Sequence, residues 1–118
     1  MQHNNEIRLE KQGEVTIFNI RGDLTSFSEP SLNEAYQKAN DQDARRIMLK
    51  IEEDAYINSG GIALLIQLMA QIKKNHQTVA MTGVSEHFKK IFNMVGITKF
   101  AKIYDSIEDA VEAMSAKP

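Results

Sequence analysis

The run Arg45-Arg46-Ile47-Met48-Leu49-Lys50-Ile51, then Glu52-Glu53-Asp54-Ala55, then Tyr56-Ile57-Asn58-Ser59-Gly60-Gly61-Ile62, decides the fold of this chain. Its first part alternates, with Ile47, Leu49 and Ile51 on one face, and reads as a strand. A polar loop follows. From Ile62 onward, Leu65, Ile66, Met69 and Ile72 recur at helical spacing. Lys73-Lys74 stand in the last turn of that helix, where cations complement its dipole. A strand, a loop with paired glycines and a long amphipathic helix together make most of a βαβ unit.

The same reading extends in both directions. Upstream, Glu6–Lys11 alternates and Gln12-Gly13 suits a tight turn. Glu14–Arg21 is a β-branched strand with Val15, Ile17 and Asn19 on one face and Thr16, Phe18 and Ile20 on the other, so both faces are partly covered. These two pieces predict a hairpin. Gly22-Asp23 ends it. Ser28 as a cap, followed by Glu29-Pro30, opens a helix that carries Leu32, Ala35, Tyr36 and Ala39 and stops at Asn40-Asp41. Downstream, Gln77–Thr82 is a strand. Ser85 caps a helix with Phe88, Ile91, Phe92 and Val95 inward, and Gly96 ends it. Phe100–Tyr104 is a short strand, and Ser106 caps a final helix with Ile107, Ala110, Val111 and Met114 on its buried face. The predicted order is ββαβαβαβα. It implies an α/β fold in which five strands form a mixed, mostly parallel sheet flanked by four helices. Without a linker, repeat or low-complexity block, residues 1–118 read as one domain with a core of about 6–115 and frayed ends.

Composition excludes whole classes. The chain has 118 residues, with 42% hydrophobic and 25% charged, which is ordinary for a globular domain. It has no cysteine, so disulfides, thiolate metal sites and thiol nucleophiles are excluded. A net charge of −2 gives no bulk attraction to nucleic acid, and with no Trp, five Phe and three Tyr a base-stacking surface is thinly supplied. The first eleven residues are polar, and the longest apolar stretch, Ile62–Ala70, is far below the about 20 residues that cross a bilayer. A cytoplasmic protein without a membrane span is expected.

Candidate chemistry centres on Asn58-Ser59-Gly60-Gly61, at the carboxyl end of a strand, where functional loops of open parallel sheets gather. Two readings compete. In the plainer one, Ser59 only caps the backbone N–H of Gly61 or Ile62 and the glycines only turn the chain. In the other, the glycines let a second molecule approach the backbone closely. A phosphate-binding loop is excluded because no lysine follows the glycines, and a hydrolase elbow because Asn58 stands before Ser59 without the flanking first glycine. His3, His76 and His87 have no partner motif and read as surface residues. No pair has metal-ligand spacing. Glu52-Glu53-Asp54 reads as a solvated loop, Lys89-Lys90 with Lys99 and Lys102 as a solvated face, and Met69, Met94 and Met114 as core packing.

Three stretches carry a resemblance. Arg21-Gly22-Asp23-Leu24-Thr25 resembles a Gly-Glu-Leu-Asp stretch after the second strand. Tyr56-Ile57-Asn58-Ser59-Gly60-Gly61-Ile62 resembles a Phe-Met/Ile-Asp-Ser-Ser/Thr-Gly-Leu signature. Lys90-Ile91-Phe92-Asn93-Met94-Val95-Gly96-Ile97 resembles a Leu-Phe-x-x-x-Gly-Leu helix end. The chain thereby resembles the STAS domain family, and within it the free-standing bacterial anti-sigma factor antagonists. The resemblance implies a regulatory binding protein that is not an enzyme and needs no cofactor or metal. It implies as partners an anti-sigma factor that is a serine kinase and a PP2C-type phosphatase. It implies phosphorylation at Ser59 and a partner-binding surface that includes Asn58, Ser59, Gly60, Gly61, Asp23 and Thr25. Asn58, Gly60 and Thr25 depart from the family's Asp, Ser/Thr and Asp, and these departures keep a non-phosphorylated binding or scaffold module open as the alternative.

Overall fold

In the computed structural model, which describes residues 5–115, the ββαβαβαβα order is realised. Strands β1 (Glu6–Gln12) and β2 (Val15–Arg21) pair antiparallel across a turn in which Gly13 holds a positive φ of 60°. Helix α1 (Glu29–Asp41) leads to β3 (Arg46–Ile51), α2 (Ser59–Lys74) to β4 (Thr78–Thr82), and α3 (Glu86–Val95) to β5 (Lys102–Tyr104); α4 (Ile107–Ser115) follows. The spatial strand order is β1-β2-β3-β4-β5, with every pair after the first parallel. The frayed ends expected from sequence, and His3, lie outside the described residues.

Parallel crossovers of one hand that advance in one direction put their helices on one face. Accordingly α1, α2 and α3 share a face, and their inward residues, among them Leu32, Tyr36, Leu65, Met69 and Phe92, pack on Phe18, Ile20, Leu49 and Met81. Among the described residues, helix α4 alone covers the other face. Ala110 there meets Val15, Ile17, Met48 and Ala80. This explains the β2 pattern: Val15, Ile17 and Phe18 are all fully buried although they point to opposite sides.

Several local expectations change. Ser28 precedes α1, but its hydroxyl does not cap it; the Oγ accepts from the Thr25 N–H at 3.0 Å and so stabilises the preceding 3-10 turn, Ser26–Ser28. Ser85 and Ser106 cap as expected, accepting from the N–H of Phe88 at 3.2 Å and of Asp109 at 3.0 Å. Gly96 ends α3 with φ 87°. The last strand begins at Lys102 because Ile97–Lys99 winds into a 3-10 turn, and Phe100 caps that turn's end. Met94 is 84% exposed, so its reading as core packing is wrong; it lies off the Phe88–Phe92 face of a helix that has an open side. Val95, expected inward, is exposed for the same reason.

One buried polar network ties the helical face together. The Tyr36 hydroxyl donates to Gln77 Oε1 at 2.7 Å and accepts from Asn75 Nδ2 at 2.7 Å, while Gln77 Nε2 donates to Asn40 Oδ1 and to the Ala44 carbonyl, both at 2.8 Å. Losing one donor in such a network leaves a buried acceptor unpaired. Tyr36→Phe should therefore lower unfolding free energy by about 1–2 kcal/mol in urea titrations, while Gln37→Ala on the exposed face of the same helix should change it little.

Candidate functional site

The site is built where β2 and β3 end. Gly22, with φ 89°, turns the chain out of β2, and its N–H donates to Glu52 Oε1 at 2.8 Å. Asp23 accepts with Oδ1 from the Tyr56 N–H at 2.9 Å. The Leu24 N–H donates to the Tyr56 carbonyl at 2.9 Å, and the Asn58 N–H donates to the Leu24 carbonyl at 3.1 Å. Leu24 and Ile57 thus form a one-residue parallel bridge beyond the sheet proper, and both are buried. Buried backbone groups must find partners, and this short ladder supplies them for two loops at once.

Helix α2 starts on that ladder. Asn58 is extended, and its Oδ1 accepts from the Gly61 N–H at 2.9 Å while its carbonyl accepts from the Ile62 N–H at 2.9 Å. Asn58 is therefore the cap, and the reading of Ser59 as a capping hydroxyl is corrected. Ser59 is the first residue of the helix and is exposed. The glycines also act differently from the open approach expected of them. A Cβ on Gly60 would stand 2.9 Å from the Ser26 N and 3.0 Å from Ser26 Cβ, and one on Gly61 would overlap the Leu24 carbonyl. The molecule that approaches the glycines is the chain itself, which lays residues 24–26 across the helix start. Gly61 is buried in consequence, whereas Asn58 and Gly60 are half-buried.

The turn at Ser26–Ser28 is held by Thr25, whose Oγ1 accepts from the Phe27 N–H at 3.1 Å while its own N–H donates to Ser28 Oγ. Asp23 and Thr25 therefore shape the loop that carries Phe27. Phe27 is 72% exposed and Tyr56 60% exposed. Sequence reading did not single out Phe27, although an aromatic in a loop that also holds a strand break and a helix cap is a usable signal. His76 and His87 are exposed, in the turn after α2 and in the first turn of α3. Among the described residues no group of three His, Asp or Glu side chains could hold a metal ion. Glu52 is less free than a solvated-loop reading allows, being bonded to Gly22 and 3.9 Å from Arg21 Nε. Lys89, read as part of a solvated face, is instead paired with Asp105 and Glu86, each at 3.0 Å, and these hydrogen bonds raise it above its ordinary pKa.

The sequence profile of the STAS domain family matches residues 6–110. The anti-sigma-B factor antagonist of Staphylococcus aureus (strain NCTC 8325 / PS 47) is 21% identical over 89 residues, 75% of this chain and 82% of that protein. The fold is similar to that of an anti-sigma factor antagonist from Mycobacterium paratuberculosis, with TM-score 0.78, 14% identity and 95% of each chain covered. It is also similar to the phosphorylated form of the Bacillus cell fate determinant SpoIIAA, with TM-score 0.63, 16% identity, and 92% of this chain and 98% of that one covered. Among the described residues no helix is long and apolar enough to cross a membrane.

The cap geometry yields a graded test. Asn58→Ala removes the side-chain acceptor and should cost about 1 kcal/mol, whereas Asn58→Asp keeps it and should stay within a few tenths. Gly61→Ala drives a methyl into the Leu24 carbonyl and should cost about 2–3 kcal/mol. Urea denaturation of the three variants gives the ranking.

Proposed function

The chain belongs to the STAS domain family, and on that footing we propose that it is an anti-sigma factor antagonist: it binds an anti-sigma serine kinase, frees a sigma factor, and is switched off by phosphorylation of Ser59, which a PP2C-type phosphatase reverses. The observation that carries this reading is the division of labour at the helix start. Asn58 provides the cap, so the Ser59 hydroxyl is exposed and can be modified without removing a bond that the fold uses.

The physical chemistry of the modification fits. A phosphoryl group brings about −1.5 to −2 charges at pH 7. At the first residue of a 16-residue helix it meets unpaired N–H groups and the positive end of the dipole, so the domain tolerates it. The face offered to a partner changes from a small neutral hydroxyl to a dianion, and an interface packed against residues 58–60 loses affinity. Asn58 in place of the family's Asp leaves the cap itself uncharged, so the residue preceding Ser59 adds no repulsion to the phosphate.

Gly60 favours a second reading, a binding module that is not phosphorylated. Ser26 fills the space where the family signature places a Ser/Thr side chain, so the surface around Ser59 differs from the one the usual kinase meets.

The deciding experiment incubates the chain with ATP and each candidate anti-sigma kinase of its source genome, followed by mass spectrometry of the Ser59 peptide. One modified Ser59 supports the switch; none with any kinase rejects it in favour of the second reading. Ser59→Asp should lower affinity for the cognate kinase about tenfold or more and leave the thermal midpoint unchanged or slightly raised, since an acidic first residue suits a helix. Ser59→Ala should bind as the wild type does and resist switching.

A further inference from the structure

Two features of the Ser59 end stand apart from the phosphorylation site. The first is aromatic. Phe27 and Tyr56 are the exposed aromatic residues among the large exposed hydrophobics, at 72% and 60%. They flank the helix start from two different loops. Phe27 follows Ser26, which packs on Gly60. The Tyr56 backbone is held on both sides, its N–H by Asp23 and its carbonyl by the Leu24 N–H. Their main chains are therefore fixed while their rings face solvent. A large ring on a fixed backbone contributes contact area at small ordering cost, which is the usual character of an interface anchor.

The second feature is charge. Residues 22–32 and 52–62 hold five carboxylates (Asp23, Glu29, Glu52, Glu53 and Asp54) and no lysine or arginine. All five are exposed. Glu52 is close to Arg21, whereas Glu29, Glu53 and Asp54 form no ion pair among the described residues. These carboxylates stand at the end that carries Ser59, where Arg21, Lys50 and Lys89 border Glu52 and Glu53 and leave Glu29 and Asp54 without a neighbouring cation in the cavities of that end. The floor between the aromatics, Asn58 to Gly60, is uncharged.

We propose that Phe27 and Tyr56 are the two anchors of a docking face for one protein partner whose surface offers apolar slots for the rings inside a basic rim that meets Glu29, Glu53 and Asp54. The inference rests on the reading of the Ser59 end as a protein-binding face and specifies the chemistry of what binds. It also assigns the two electrostatic effects to different ranges. The acidic rim acts over about a Debye length and speeds encounter. A phosphate on Ser59 acts at the centre, where a dianion pressed against apolar contact keeps its desolvation cost unless a cation lies directly opposite. A partner can therefore be attracted by this end and still be expelled by its phosphorylation.

The test uses the full chain with the photo-crosslinking residue p-benzoylphenylalanine at 27, at 56 or at 94, expressed in the source organism. Met94, 84% exposed at the end of α3, is the alternative apolar face. The expected result is one protein captured from both 27 and 56 but not from 94, with the crosslinked peptide apolar and flanked by Lys or Arg. With that protein purified, Phe27→Ala and Tyr56→Ala should each weaken binding about tenfold or more, mainly through faster dissociation. The triple variant Glu29→Gln, Glu53→Gln, Asp54→Asn should slow association about tenfold at low salt and remove most of its salt dependence. Circular dichroism confirms that each variant is folded. Absence of a crosslink from 27 and 56, capture from 94 alone, or a captured peptide poor in Lys and Arg overturns the proposal. Capture from 94 with Ser59 still phosphorylated overturns the anchors and leaves the antagonist reading standing. Capture from 27 and 56 with Ser59 never modified does the reverse.

Discussion

The Leu24 carbonyl is the atom on which this end of the molecule depends. It accepts from the Asn58 N–H and lies where a side chain on residue 61 would have to go. These two facts force one another. The hydrogen bond brings residues 24 and 58 together only if the helix that starts at Ser59 presents a bare backbone, and the paired glycines provide it. Once that contact is made, the cap of α2, the turn that carries Phe27 and the bridge between Leu24 and Ile57 all follow from the same short ladder. The rigidity of the site is thus a property of backbone contacts between two loops, with the sheet beneath them fixing where each loop departs.

Periodicity made most of the fold legible. The alternation of 45–51 and the helical spacing from Ile62 to Ile72 each point to one element because burial on one face leaves a repeat that needs no tertiary knowledge to see. The double covering of β2 could be read in the same way, from apolar residues at both parities. What could not be read were choices between neighbouring polar groups. Asn58 and Ser59 are both good caps, and which one takes the Gly61 N–H depends on how residues 24–26 lie across the helix start. Ser28 likewise has the composition of a cap but is diverted to Thr25. Met94 failed for a related reason: spacing identifies a helix but does not say how wide a stripe its neighbours cover, and the outer side of α3 is open.

A motif can also keep its outline while its internal roles move. The signature around Ser59 retains a cap, an exposed hydroxyl and a close-packed glycine. The cap has lost its charge, and the position after Ser59 has lost its side chain to Ser26 from another loop. The exposed hydroxyl at the helix start is kept through these changes. Chemistry that depends on a second hydroxyl beside it has to draw on residue 26.

The strand order, strictly sequential from β1 to β5, leaves two open edges, and both are blunted. β1 carries Glu6, Arg8, Glu10 and Lys11 within seven residues, and β5 is three residues long. Charged and very short edges resist pairing with the edge of another sheet. Growth of this sheet into β-linked assemblies through its own margins is thereby disfavoured.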